Sequence, residues 1–513
     1  MSDLWRFASG RKEPDMETVI QYLLLALALA SAQISLSESR LNEKRRDKTE
    51  RRYHPRDYVE ENICDIGDRE SKVHCYCDNG EVAAAARADC WVFSGGLTEA
   101  DPLWDLFHKQ PNIQRLTFNV RFNGALNFVP LHVIRRLHNL QKLSITYATL
   151  NKIEKRTFSN LTTVKEIKLM KSEISELDFS AFANLPSLVN LTVKENRVSE
   201  IQRDVFVDLP SLKYLDLTFN NISLTHDGCF EHLPLLSDLL LESNSISVLT
   251  RETFRGLANL TKLNLRANRL SMIGDLTFSE LWNLNELLLD NNELKYLSER
   301  AFDGLSLLQK LSMTGNRLKS INEGLLEGVR GLELLDLRNN ELEHFTYETL
   351  KPIHENLKVK TSVLYLSGNK LSCDCRLGWV SVLRNETRSE PLRLALEAVT
   401  CVPTTDHRAA PEIADQAPND NILAEIDDDS DVFQQDANYD DSKPSAQSMV
   451  ADQLTVVDIP ADMLPCPQQL RNGEDSLMLS SKDKSYWRPS SSSRAVVSVV
   501  LVMSASVTVH FLH

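Results

Sequence analysis

Between Leu140 and Val359 one residue pattern returns every 24 positions. Nine successive copies start at Leu140, Val164, Leu188, Leu212, Leu236, Leu260, Leu284, Leu308 and Leu332. Each reads L-x-x-L-x-L-x-x-N-x-L, as at Leu260, Leu263, Leu265, Asn268 and Leu270. A phenylalanine follows 18 residues after the first seven starts: Phe158, Phe182, Phe206, Phe230, Phe254, Phe278 and Phe302. Irregular copies flank the nine, one on Ile113, Leu116 and Phe118, the other on Leu364, Leu366, Asn369 and Leu371.

A period of this length is a leucine-rich repeat, here in eleven copies over 111–371. The L-x-L core alternates with period two, so it is a short strand with leucines on one face. One strand cannot bury that face alone, and stacked copies make a curved parallel sheet over a continuous core. Each fully buried leucine contributes roughly 1.5–3 kcal/mol. The ninth-position asparagines (Asn196, Asn220, Asn244, Asn268, Asn292, Asn316, Asn340, Asn369) follow each strand. Their amides can donate to and accept from backbone that no sheet reaches. Ala148 and Ser172 replace them early, where a looser ladder is expected. The expected fold is therefore α/β, a solenoid with its parallel sheet on the concave side, and the phenylalanines form a second spine on the far side.

The 513 residues carry a formal net charge of −15 and are 42% hydrophobic, a globular composition. Arg6, Arg11 and Lys12 precede an apolar run, Val19-Ile20 and Tyr22 to Ala30, and Ala30-Ser31-Ala32 supplies an A-x-A arrangement. Residues 1–32 thus read as a secretory signal peptide. Residues 33–61 are a basic arm bearing Arg40, Lys44, Arg45, Arg46, Lys48, Arg51, Arg52 and Arg56. A solvated arm is the simplest reading, with a polyanion or an acidic segment of the same protein as a ligand for it.

Nine cysteines in an exported chain suggest disulfides. Cys64, Cys75, Cys77 and Cys90 fall in a cap region over 62–110, and Cys373, Cys375 and Cys401 in another over 372–403, with Cys466 beyond. Each end of a solenoid exposes a leucine-bearing edge that must be covered. Each sulfur of a C-x-C pair needs its own partner, and four cysteines allow three pairings. The favoured set is Cys64–Cys77, Cys75–Cys90, Cys373–Cys401 and Cys375–Cys466. A zinc site is disfavoured, because no second C-x-x-C or His pair accompanies C-x-C. Cys229, beside Phe230, is expected to be a buried free thiol.

Residues 404–471 form an acidic insertion without a core of its own. Between Pro411 and Asp462 it holds 14 acidic residues against Lys443 alone, and Tyr439 lies among Asp436 and Asp440-Asp441, a setting that tyrosine sulfation uses. Residues 472–494 are a polar stalk, and 495–513 an apolar tail with no Lys or Arg beyond it. That tail fits a glycolipid (GPI) anchor signal, with Ser480 or Asn472 as attachment candidates. Sequons at Asn160, Asn190, Asn221, Asn259 and Asn385 suit an exported glycoprotein.

Binding is expected on the concave side, where the third, fifth and seventh positions of each repeat form lanes. Lys168, Lys194, Tyr214, Asp216, Phe219, Leu240, Glu242, Leu288 and Asp290 are the candidates there, with Leu240, Leu288, Tyr214 and Phe219 expected to be exposed. Basic residues come early and acidic ones later. Two copies facing antiparallel would therefore oppose unlike charges. A glycan on Asn190, in the third-position lane, would cover part of the early surface. No catalytic motif is present: there is no H-E-x-x-H, Walker loop or G-x-S-x-G. No enzyme, cofactor, resident metal or nucleic-acid partner is expected.

The plan from Cys64 to Cys401 resembles the extracellular leucine-rich-repeat cell-adhesion family. The C-terminal cap carries the likeness: Asn369-Lys370-Leu371-Ser372-Cys373-Asp374-Cys375-Arg376-Leu377-Gly378-Trp379, Leu383-Arg384-Asn385 and Val399-Thr400-Cys401. It is similar to the cap of insect neuronal adhesion proteins. The resemblance implies a GPI-anchored molecule on the outer face of the plasma membrane, binding a copy of itself on an apposed cell, as between neurons and muscles. Alternatives are a receptor or co-receptor for a soluble or microbial protein, another cell-surface protein as partner, and a secreted matrix protein.

Overall fold

A strand joined to a parallel neighbour cannot turn straight back, so each repeat must carry the chain over the far side before the next strand begins. The computed structural model describes residues 62–66, 70–359, 361–403, 453–460 and 463–466. One sheet runs through them in chain order: β1 (Val73–Cys77), β2 (Arg87–Val92), β3 (Arg115–Val120), β4 (Lys142–Thr146), β5 (Glu166–Met170), β6 (Asn190–Thr192), β7 (Tyr214–Asp216), β8 (Asp238–Leu240), β9 (Lys262–Asn264), β10 (Glu286–Leu288), β11 (Lys310–Ser312), β12 (Leu334–Asp336) and β13 (Val363–Tyr365). β1 is antiparallel to β2, and every later pair is parallel. Equal repeat positions face one another, as Leu215 faces Leu239 and Leu239 faces Leu263. The sequence period is thus the sheet register.

The pattern leucines close one continuous core, with Leu215, Leu239, Leu263 and Leu287 wholly buried. The far side holds the aromatic spine in two stacked runs: Phe158, Phe182, Phe206 and Phe230, then Phe254, Phe278 and Phe302, with centroids 5.3–6.4 Å apart. Cys229 is a buried free thiol beside this spine, and burial pushes it above the ordinary thiol range.

Behind each strand the asparagine ladder satisfies backbone of two turns. Asn268 Oδ1 accepts from the Ile246 N–H at 3.0 Å, while its Nδ2 donates to the Leu241 and Leu265 carbonyls at 2.9 and 3.1 Å. The arrangement recurs through Asn369, which serves Leu342, Leu337 and Leu366. At Ser172 the hydroxyl donates to Met170 O at 2.9 Å, and Leu150 N–H, with only Ala148 in its own repeat, donates to the Ser172 carbonyl. The residue before the ladder position is left-handed in repeat after repeat: Tyr147, Lys171, Glu195, Phe219, Ser243, Ala267, Asn291, Gly315, Asn339 and Gly368. That turn aims its N–H at the next repeat, as Phe219 N–H reaches the Glu242 carbonyl at 3.0 Å.

Both ends are covered. At the first, Cys75–Cys90 joins facing positions of β1 and β2, and Cys64–Cys77 ties on the preceding segment. Gln110, fully buried, accepts from Ala85 N–H and donates to Glu81 O at 2.8 Å. At the second, helices Trp379–Glu386 and Glu390–Glu397 pack on the last repeat. Trp379 Nε1 donates to Phe345 O at 3.1 Å, and Ser389 and Thr387 hydroxyls donate to Ser362 O and Leu357 O. Carbonyls that a further repeat would have covered are thereby satisfied.

This second cap takes in more chain than 372–403. Leu454–Thr455 pairs antiparallel with Thr400–Cys401, Val456 and Leu464 are buried, and Cys466 bonds Cys375 while Cys373 bonds Cys401. The end of the stretch expected to be all acidic linker is therefore a packed part of the cap. Its apolar run Leu454-Thr455-Val456-Val457 explains why. The expected signal peptide, basic arm, Tyr439, polar stalk, apolar tail and the anchor candidates Ser480 and Asn472 lie outside the described residues. Among the described residues no helix is long and apolar enough to cross a membrane.

Candidate protein-binding face

Residues alternate across a strand, so burying the leucines of β3–β13 turns the intervening positions outward onto the concave face. The central lane runs Ser144, Lys168, Thr192, Asp216, Leu240, Asn264, Leu288, Ser312, Asp336 and Tyr365. The structure corrects the sequence expectation here. Leu288 is only 2% exposed, and Asp216 and Asp290 are buried as well. Strands lie about 4.8 Å apart and same-face residues about 7 Å along a strand, so a central side chain has neighbours on four sides. Asp216 turns its carboxylate to Thr218, whose N–H and hydroxyl donate to it at 3.0 and 2.7 Å. Asp290 is held by Arg266, by Ser312 and by the Thr314 N–H. None of the three is available to a partner.

The other candidates remain accessible in different degrees. Tyr214, Leu240, Lys168, Lys194 and Glu242 are half-buried, and Phe219 is 52% exposed beside the strand end. Burial, then Asp216 and Asp238, raises the Tyr214 phenol above its ordinary range. Glu242 accepts from Asn264 Nδ2 at 2.7 Å. Of the sequons, Asn190 lies half-buried on β6 in the third-position lane, whereas Asn160, Asn221, Asn259 and Asn385 are exposed elsewhere.

Much of the charge is neutralised between adjacent strands. Glu166 sits between Lys142 and Lys168, at 2.6 and 2.5 Å, and Glu286 between Lys262 and Lys310, at 3.1 and 2.7 Å. Burial alone would raise both carboxyls; the two lysines on each outweigh it and hold them below the usual range. A depressed carboxyl contributes stability above its unfolded value and loses it as pH falls through its folded one. Urea midpoints are therefore expected to fall as pH drops below the ordinary glutamate value of 4.5, and Glu166→Gln with Glu286→Gln to flatten part of that dependence. An unchanged pH profile in the double variant would remove these ladders as contributors.

The acid-rich later half is thus less negative than its composition. Glu286 is shared by two lysines, Asp290 pairs with Arg266, and Asp336 with Arg338, which lies 4.4 Å over the Tyr365 ring. In the third-, fifth- and seventh-position lanes, Asp238 and Glu242 are the half-exposed acids without an ion-pair partner among the described residues. A separate group, Asp204, Glu231 and His232, brings ligand atoms within 4.8 Å of one another. Arg203 and Arg255 already engage Glu231, so it reads as an ion-pair network.

The lanes also begin earlier than the regular repeats. Arg87 faces Arg115, which faces Lys142, extending the third-position lane into the first cap. Trp91 lies one register pair from His74 and from Asn119, and the Arg121 guanidinium stands 5.0 Å over the Trp91 ring. These residues were missed because the binding candidates were drawn from the regular repeats, which start at Leu140. The signal was the alternation of buried Ala88, Cys90 and Val92 with outward Arg87, Asp89 and Trp91.

The leucine rich repeat family model matches residues 162–222, 212–270 and 258–318. Connectin of Drosophila melanogaster is 41% identical over 94 residues, which is 18% of this chain and 14% of connectin, so the chain spans only a small part of that relative. Among solved structures, an internalin from Listeria monocytogenes is 17% identical with a TM-score of 0.42, covering 64% of this chain and 87% of its own. The mouse RP105/MD-1 complex is 21% identical with a TM-score of 0.45, covering 57% and 55%. The chain is a leucine-rich-repeat solenoid with disulfide-bonded caps, and it resembles connectin over the stretch they share.

Proposed function

We propose that this protein is a cell-surface adhesion molecule that meets a second copy of itself on an apposed cell, concave face to concave face. The observation that carries this reading is the uneven charge left after internal pairing. Cations gather on β2–β5, while the lane acids without an ion-pair partner among the described residues, Asp238 and Glu242, stand at and just after β8 beside half-exposed Tyr214 and Leu240. An antiparallel pair with its two-fold axis near β7 would bring Lys194 and Lys168 of one copy toward Asp238 and Glu242 of the other around an apolar centre, and turn the cationic first strands toward the partner's far end. A glycan on Asn190 would leave the β7–β8 region and the first strands as the contact. A lipid anchor would display the slab outside the cell; release of surface protein by a phosphatidylinositol-specific phospholipase tests that part separately.

Cells that do not otherwise adhere are expected to aggregate when they express the protein. Lys168→Glu with Lys194→Glu should reduce aggregation at least about tenfold, a loss of roughly 1.4 kcal/mol or more. Mixing these cells with cells bearing Asp238→Lys and Glu242→Lys should restore it. Asp216 is not used in the compensating variant, because its side chain is buried. Full aggregation by the lysine variant would rule the concave contact out, and surface-displayed wild-type protein that never aggregates cells would direct the search to a different partner protein.

A further inference from the structure

The first strands carry a cationic strip that the later sheet does not match. Arg87, Arg115 and Lys142 face one another on three adjacent strands, all exposed, with Lys168 one lane over on β5. Arg121 adds a guanidinium stacked over Trp91 and 5.8 Å from the Phe93 ring. The acids among them are few: Asp89, 2.7 Å from Arg87 Nε, and Glu166, shared by Lys142 and Lys168. Arg115 has no ion-pair partner among the described residues. At the other end, β9–β12 balance their own charges in lysine–glutamate and arginine–aspartate pairs, so they offer this strip little complement.

The concentrated negative charge of the chain lies elsewhere. From Glu412 to Ser442 there are eleven acidic residues and no Lys or Arg. The described chain on either side of that stretch belongs to the second cap: Thr400–Cys401 pairs with Leu454–Thr455, and Cys466 bonds Cys375. Within one molecule the strip lies at the opposite end of the sheet, about 50 Å away at a strand spacing of about 4.8 Å. In two copies facing antiparallel, the second cap of one comes opposite the first strands of the other.

The geometry points to the strip Arg87–Arg115–Lys142, with Arg121 and Lys168, as the docking surface for the acidic segment 412–442 of a second copy. This rests on the antiparallel homophilic reading and supplies its electrostatic contact. Two such contacts form per pair, one at each end. Arginine guanidinium groups on a rigid sheet suit carboxylates, and sulfation of Tyr439 would add a further anion to the same segment.

Full-length chains test it by complementation. One variant reverses the strip (Arg115→Glu, Lys142→Glu); the other changes the acidic residues of 412–442 to their amides. Neither alone is expected to self-associate in sedimentation experiments at low salt, whereas an equimolar mixture should, because one of the two end contacts then survives. A contact made within one molecule would give no such rescue. Separately, a fluorescent peptide of residues 412–442 should bind the amide variant saturably, at least tenfold more weakly after strip reversal, and unchanged after Arg317→Glu with Lys319→Glu on the side of the solenoid. If the peptide ignores strip reversal, the docking surface is wrong even where cells aggregate. If heparin binds the strip and the peptide does not, the strip serves a sulfated glycan and the proposal falls. If the peptide binds through the strip but wild-type cells never aggregate and the mixture shows no rescue, the second-copy occupant is overturned and the homophilic reading falls with it.

Discussion

Asn268→Ala is expected to destabilise the solenoid by about 3–5 kcal/mol, although it removes only a few atoms and no leucine. The side chain is buried and connects two turns. Its loss orphans the Ile246 N–H and takes one of two amide donors from each of the Leu241 and Leu265 carbonyls, which keep Asn244 and Asn292. The unpaired N–H costs about 1–3 kcal/mol, and each of the two hydrogen bonds lost from carbonyls that stay satisfied about 0.5–1.5 kcal/mol. Water cannot substitute easily, because leucine side chains surround the site and the next repeats close it on both sides. Asn268→Asp separates the donor role from the acceptor role. A carboxylate keeps the bond from Ile246 N–H but faces two carbonyls with no proton to give. At neutral pH it should be at least as damaging as alanine, and the gap should narrow as pH falls and the acid protonates. Exposed Asn283, which donates to Ala258 O at 2.8 Å, is the control, with a change within about 0.5 kcal/mol on substitution. Urea unfolding of the full chain reads all three. A loss for Asn268→Ala no larger than that for Asn283→Ala would mean that the leucine core alone holds adjacent turns together.

The period in the sequence carried this ladder because each of its parts is local to a repeat. The leucine positions, the asparagine position and Phe158 to Phe302 recur at fixed offsets, and a parallel in-register sheet converts equal offsets into contact. What the sequence did not disclose depends on neighbours one strand away or far along the chain. Leu288 looked like an exposed interface residue by its place in the repeat. Its burial is set by Asn264 and Ser312, its register partners, and by the residues flanking them in the adjacent lanes. The acidic run 216–290 looked like a binding patch, yet Lys310 and Arg266 neutralise Glu286 and Asp290 across strands. The lane through Arg87 and Arg115 was hidden because those strands carry Ala, Cys and Val rather than leucine at most inward positions. Leu454–Thr455 joins the second cap across a gap of some fifty residues that no periodicity spans.

That distant return makes the last prediction specific. Replacing both Cys375 and Cys466 with serine removes a link across 91 residues, for which chain entropy alone gives about 4–5 kcal/mol. The remaining hold on the segment is modest. Leu454–Thr455 pairs with Thr400–Cys401, Val456 N–H donates to Val399 O at 3.0 Å and Cys375 N–H to Pro465 O at 3.2 Å, and among the described residues of the segment Val456 and Leu464 are the buried ones. Burying two such side chains contributes about 3–6 kcal/mol at most, against the ordering of a dozen residues. The double variant should therefore release 453–466 while keeping the repeats folded. Hydrogen exchange over 453–460 should rise by orders of magnitude, with protection of β6–β10 unchanged and Trp379 still buried against Phe345. Cys373→Ser with Cys401→Ser should behave differently, because that link lies inside the cap and its loss exposes Leu371 and Leu377 as well. If 453–460 stays protected without Cys466, packing rather than the cystine holds the segment. The acidic stretch would then remain fastened to the second cap under reducing conditions too.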